Sequence, residues 1–149
     1  MHYPMKHQEL PVIGWREWIV LPEIGITRIK AKIDTGARYS TLHAFDINFF
    51  EIGYQPMVEF KVNPQQKDTN LIVIAVAKLI EQRKIRSSNG EVELRPVILT
   101  EVNLMNKKWH AELTLTDRKF MRFRMLLGRQ AVQKKFLINP SKSYLNMKL

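Results

Sequence analysis

Apolar and polar residues alternate nearly one for one through much of this chain. Ile29, Ala31 and Ile33 are spaced by Lys30 and Lys32, and Val58, Phe60 and Val62 by Glu59 and Lys61. Phe123, Met125 and Leu127 are spaced by Arg124 and Leu126. A period of two sends alternate side chains to opposite faces of a strand, so these runs fold as half-buried β-strands and not as helices.

Turn chemistry separates the runs. Pro22-Glu23-Ile24-Gly25 divides Trp18–Leu21 from Ile26–Ile33, which predicts a hairpin. Asn89-Gly90 predicts a second hairpin between Lys84–Arg86 and Glu91–Leu99. Leu71–Ala77 is an apolar strand, and Trp109–Leu115 alternates after the break at Asn106-Lys107-Lys108. Arg129–Leu137 is the one clear helical pattern, with Phe45–Glu51 a weaker helical candidate. The fold class is mainly β, a barrel or sandwich with one short C-terminal helix. Residues 1–11 form a loose polar leader, and 12–149 form a single domain.

The chain has 149 residues and no cysteine, which excludes disulfides, thiolate metal sites and thiol nucleophiles. No apolar run approaches the roughly 20 residues of a membrane helix, and the N-terminus lacks a signal-peptide core. A cytoplasmic protein is the expectation. Net charge is +10, and residues 107–135 alone carry nine basic and two acidic groups. Such a field draws a polyanion: nucleic acid, an anionic membrane surface or an acidic polypeptide.

Two segments share one shape: Lys30-Ala31-Lys32-Ile33-Asp34-Thr35-Gly36-Ala37 and Arg122-Phe123-Arg124-Met125-Leu126-Leu127-Gly128-Arg129. Each is an alternating strand running into a glycine turn, and only the first has an acid before its turn. Ile33-Asp34-Thr35-Gly36-Ala37 resembles the active-site motif of retropepsin-type aspartic proteases. Met125-Leu126-Leu127-Gly128-Arg129 resembles their second signature. With Gly14-Trp15-Arg16-Glu17-Trp18, Leu42-His43-Ala44, Arg86–Gly90 and Leu115–Arg118, the string is similar to a small bacterial family often labelled ATP-dependent zinc proteases, regarded as retropepsin-like and including the RimB proteins. The resemblance runs from about residue 13 to 145.

The zinc and ATP of that label find no support in the residues. The histidines are His2, His7, His43 and His110, with no H-E-x-x-H, and the six glycines form no phosphate-binding loop. No metal and no cofactor are expected. The resemblance implies a closed acid-protease β-barrel and an aspartic peptidase, with Asp34 as catalytic acid and base, Thr35 bracing the loop and Gly36 permitting a tight turn. One acid is not a dyad, so the second carboxylate must come from another copy, in a C2 homodimer. Ala37, Arg38, His43, Gly128 and Arg129 are the candidate substrate contacts. His43 has a packed strand histidine as its alternative.

Viral retropepsins commonly place an acid two residues after the motif glycine, where this chain has Arg38. Arg38 and Arg129 then make either a cationic site or structural ion pairs, with Glu17 and Asp117 among the candidate partners. Relatives of the family are associated with ATP-grasp ligases that add glutamates to a ribosomal protein, which implies an acidic, glutamate-rich peptide substrate and a glutamate ligase partner. Two other readings compete: a catalytically silent module docking an acidic tail or the ligase, and a basic RNA- or ribosome-binding protein, for which no nucleic-acid motif appears. Pro64–Asn70 is the first candidate for a flap over the site, and the Asn89-Gly90 hairpin the second.

Overall fold

The computed structural model describes residues 9–65, 67–68, 70–87, 89–118 and 122–146. Most of the expected leader, residues 1–8, lies outside them. Eleven strands form in chain order. They are β1 Val12–Gly14, β2 Arg16–Leu21, β3 Ile26–Asp34, β4 Ser40–His43, β5 Phe45–Ile52, β6 Gln55–Val62, β7 Val73–Arg86, β8 Val92–Leu104, β9 Lys107–Thr116, β10 Met125–Gly128 and β11 Leu137–Asn139. One short helix, α1 Arg129–Val132, follows β10.

Six strands close into a barrel in the order β2-β3-β10-β4-β9-β8, and Val20 on β2 pairs with Asn103 on β8 to complete the circle. From β8 the sheet continues outward through β7, β6 and β5. β1 and β11 pair separately, parallel to each other. The barrel is filled by the inward residues that the alternation marks: Ile29, Ala31 and Ile33 from β3, Met125 and Leu127 from β10, Leu42 from β4, and Leu113 and Leu115 from β9. Phe60 on β6 is fully buried, and removing one such ring from water contributes about 2–3 kcal/mol.

Three expectations need correction. Phe45–Glu51 is strand, not helix: it pairs with β6 through Phe49↔Val58 and Phe50↔Met57. The helix after Gly128 is four residues long, not nine. Lys134 takes a positive φ of 65°, and Leu137 leaves to pair with Val12, its N–H donating to the Pro11 carbonyl at 3.0 Å. Strand pairing thus outcompetes the propagation of a short helix. The apolar strand expected at Leu71–Ala77 begins only at Val73, and Leu71, Ile72, Ile74 and Val76 are exposed.

Candidate active site

The two motif copies lie side by side. β3 and β10 pair in parallel, with Ala31 opposite Met125, Ile33 opposite Leu127 and Asp34 opposite Gly128. The chain leaves β3 at Asp34, arches through residues 35–39, and returns as β4 on the far side of β10. The arch therefore crosses the end of β10 at Gly128. A Cβ on Gly128 would sit 2.5 Å from the Tyr39 carbonyl oxygen, a distance that only glycine avoids. The Gly128 N–H donates to the Ser40 hydroxyl at 2.9 Å, the Arg129 N–H to the Ala37 carbonyl at 2.7 Å, and the Gln130 N–H to the Arg38 carbonyl at 3.1 Å.

Within the arch, the Gly36 N–H donates to Asp34 Oδ1 at 3.1 Å, which fixes the carboxylate's orientation. Gly36 has no positive φ. Its constraint is close approach, since a Cβ there would lie 3.3 Å from that same oxygen. Asp34 opens on a cleft of about 380 Å³. The cleft's walls carry Arg38, Lys84, Arg86, Arg95 and Arg118, and among the described residues Asp34 is their only carboxylate. This donor set attracts anions and is ill suited to a divalent cation.

Arg95 is built into the wall. It is buried, its Nε donates to Glu93 Oε2 at 3.1 Å, and its Nη1 donates to the Thr41 hydroxyl at 3.3 Å. Burial lowers the pKa of its guanidinium from the usual value, and Glu93 opposes that shift. Lys84, Ile85, Arg86 and Ser87 bring the end of the β7–β8 hairpin to the cleft. The hairpin closes through the Gly90 N–H donating to the Ser87 carbonyl at 2.9 Å, with Gly90 at φ 86°. Pro64 and Gln65 instead border a different cavity, beside Trp18. Of the two flap candidates, the hairpin of Asn89-Gly90 is the one that borders the cleft among the described residues.

Among the expected site residues, Asp34, Gly36, Ala37 and Arg38 line the cleft. Thr35 is exposed, and its carbonyl accepts from Arg129 Nη1 at 3.0 Å. Arg129 thus reaches back to the loop and does not line the cleft, and Gly128 lies under the arch. His43 is buried in a separate cavity with Phe45, Asn63, Asp117 and Arg124. Its Nδ1 accepts the Arg118 N–H at 3.0 Å. Burial and then Arg124 lower its pKa, against an opposing pull from Asp117.

The ion pairs considered for Arg38 and Arg129 do not form. Glu17 is fully buried and accepts the N–H groups of Gly14, Leu145 and Asn146, while Asp117 pairs with neither arginine. Asp117 and Arg118 form no pair with each other either. Lys84, Arg86, Arg95 and Arg118 were missed as cleft residues. The one sequence signal for them was the basic pair flanking Ile85 ahead of the Asn-Gly turn.

Comparison with known proteins places the chain in a family. A family profile described as RimB-like, retropepsin-like aspartic endopeptidase RimB, matches residues 12–149. Two curated proteins, each named "Probable alpha-L-glutamate ligase", are similar. One from Shewanella halifaxensis (strain HAW-EB4) is 44% identical over 133 residues, 89% of this chain and 29% of its own length. One from Desulfotalea psychrophila (strain LSv54 / DSM 12343) is 42% identical over 130 residues, 87% of this chain and 28% of its own. The chain therefore spans less than a third of these relatives. A crystal structure of a Legionella pneumophila protein of unknown function superposes with a TM-score of 0.75 at 26% identity, covering 91% of this chain and 97% of that one. With its barrel, its paired glycine motifs and a profile match over nearly its whole length, the chain belongs to the RimB-like family of retropepsin-like aspartic endopeptidases.

Proposed function

We propose that this chain is an aspartic endopeptidase that acts as a homodimer on acidic, glutamate-rich peptide tails. One observation carries the reading: Asp34, held by its own glycine loop, is the sole carboxylate in a cleft walled by five cationic side chains. A single carboxylate cannot take a proton from water and donate one to the carbonyl oxygen in the same step. A second copy supplies the second, and two carboxylates held close together share one proton. The ionised member takes a proton from a water whose oxygen attacks the scissile carbonyl, while the protonated member donates to the carbonyl oxygen. Collapse of the tetrahedral intermediate breaks the C–N bond, and the departing amine takes a proton from the dyad. The five cations favour peptides whose side chains are carboxylates, and guanidinium forks bind these in two-point fashion.

The names of the similar proteins bear on the partner. They describe chains more than three times longer, in which this unit is one part. We assign the ligase name to the remaining part and take this unit as the hydrolytic counterpart of a glutamate ligase, with residues 12–149 acting as one domain. The competing reading, a silent docking module, rests on the single carboxylate that one chain brings to the cleft.

Cleavage of oligoglutamate-tailed peptides by wild type and Asp34→Asn, read by mass spectrometry, tests the proposal. Cleavage by wild type alone supports it. Binding by both without cleavage by either refutes it in favour of the docking module. Sedimentation of the active protein as a strict monomer would overturn the homodimer.

A further inference from the structure

A second cationic site lies along the outer face of β3. Ile29, Ala31 and Ile33 of β3 fill the barrel, and Arg28, Lys30 and Lys32 alternate with them on the outer face, in line with Asp34. Beyond Lys32 the line enters a cavity of about 250 Å³ bordered by Trp18, Arg28, Lys30, Lys67 and Arg124. No carboxylate borders it, and none of its four cations makes an ion pair among the described residues. Arg124 Nε is buried and finds no acceptor there. Four cations without an ion pair around one concavity make a positive field that draws an anionic ligand, although Arg124 also borders the neighbouring cavity with Asp46 and Asp117.

Rotamers in this site are already restrained. The Arg28 guanidinium sits 3.8 Å from the Trp18 ring centroid and Lys30 Nζ 5.1 Å from it. Tyr144 stacks on Trp18 at 5.8 Å with 28° between the rings. The indole is thus engaged, which leaves it a poor platform for a nucleobase and argues against RNA. Outward side chains on a strand repeat every ~6.8 Å, which is also the repeat of carboxylates along one face of an extended acidic peptide.

We propose that this cavity is an exosite for the distal part of an extended acidic polypeptide whose other part occupies the Asp34 cleft. The inference rests on the acidic-tail reading of that cleft and adds a length requirement to it. Lys30 is about 13 Å and Arg28 about 20 Å from Asp34 along the strand, so a tail needs roughly six residues beyond the cleft to reach both. Short acidic peptides engage the cleft alone, and long ones gain a second, linked contact.

The test uses the full-length Asp34→Asn protein, so that binding is read independently of cleavage. Fluorescence anisotropy compares labelled triglutamate, dodecaglutamate and a single-stranded RNA oligonucleotide at low salt. The expected result is dodecaglutamate binding at least about tenfold tighter than triglutamate, with a steeper salt dependence. Arg28→Gln and, separately, Lys67→Glu close that gap. Lys67 is exposed on a loop, so its substitution leaves folding intact. Equal affinity for the two peptides, an unchanged gap in both variants, or RNA binding that outcompetes dodecaglutamate would overturn the exosite. Dodecaglutamate that shows the gap but is not cut by wild type refutes the peptidase reading while supporting the exosite. Cutting without any length preference does the reverse.

Discussion

The Arg129 guanidinium donates a 3.0 Å hydrogen bond to the carbonyl of Thr35, across the gap between the two motif loops. Its own N–H reaches the Ala37 carbonyl. One residue therefore grips both ends of the turn that carries Asp34. This makes Arg129 a positioning residue in the proposed enzyme. Arg129→Ala is expected to lower kcat about ten- to a hundredfold by loosening the loop, with little change in KM. Arg129→Lys restores part of the loss. Steady-state kinetics on an acidic peptide check the split, and a rise in KM alone would mean that Arg129 binds substrate instead.

The arch over β10 makes Gly128 the tightest point of the site. A methyl group there meets the Tyr39 carbonyl at 2.5 Å, and the backbone on both sides is hydrogen-bonded in place. Gly128→Ala is expected to cost about 1–3 kcal/mol of stability, the usual penalty of overpacking, and to reduce activity by displacing the loop. Urea denaturation measures the first effect. An unchanged midpoint would show that the arch yields freely.

Much of this site is legible in sequence because the two halves of it are local. Ile33–Ala37 and Met125–Arg129 each announce a strand ending in a glycine turn, and β3 and β10 are those strands. What binds them together is not local. Arg95 and Lys84 arrive from the β7–β8 hairpin, some fifty residues away in sequence, and only strand pairing brings them to Asp34. Periodicity reports which face of a strand is buried and is silent about which strands become neighbours. β5 departs from its helical expectation for a related reason. It is paired on one side only, and Phe49, Phe50 and Ile52 are all exposed, so burial imposes no clean alternation on it. Asp46, at φ 50° beside a break in the β5–β6 register, further disturbs the period.

Glu17 anchors the chain's C-terminal segment. Its carboxylate is fully buried and accepts three backbone N–H groups, from Gly14 at 2.6 Å, Leu145 at 3.0 Å and Asn146 at 2.9 Å. Removing it leaves three donors without an acceptor, each worth about 1–3 kcal/mol when buried. Because residues 145–146 are only part-buried and can reach water, Glu17→Ala is expected to cost about 2–4 kcal/mol in total. Glu17→Gln keeps one acceptor oxygen and is expected to cost less. Thermal and chemical denaturation check the order of the two variants, and equal losses would contradict the hydrogen-bond account.

His43 gives the fold a dependence on pH. Burial and Arg124 lower its pKa below the ordinary 6.5, and its Nδ1 must stay unprotonated to accept the Arg118 N–H. On acidification the unfolded chain takes up this proton first. The contribution of neutral His43 is therefore complete above 6.5 and is lost as pH falls through 6.5 towards the lower folded value. His43→Asn keeps an acceptor for Arg118 and removes the titration. The difference in unfolding free energy between wild type and this variant is expected to shrink or change sign between neutral and mildly acidic pH. A difference that stays constant across that range would rule His43 out as the source.

The cations of the cleft are expected to act on binding more than on chemistry. Arg38 and Arg86 are exposed, border the Asp34 cleft, and form no ion pair among the described residues, so their charge is available to a ligand. Arg95 differs, since it is buried and tied to Glu93 and Thr41, and its loss would leave Glu93 with the Thr116 hydroxyl but no cation. Arg38→Gln and Arg86→Gln are each expected to raise KM for a glutamate-rich peptide roughly three- to tenfold and to flatten its salt dependence, with kcat nearly unchanged. The same variants leave KM unchanged for a peptide in which glutamine replaces glutamate. Arg95→Gln is expected to lower the thermal midpoint along with affinity, because it strips a buried hydrogen-bonding group from the wall. Kinetics on the paired glutamate and glutamine peptides separate recognition of charge from general damage. Equal effects on both peptides would mean that Arg38 and Arg86 shape the cleft without reading its ligand.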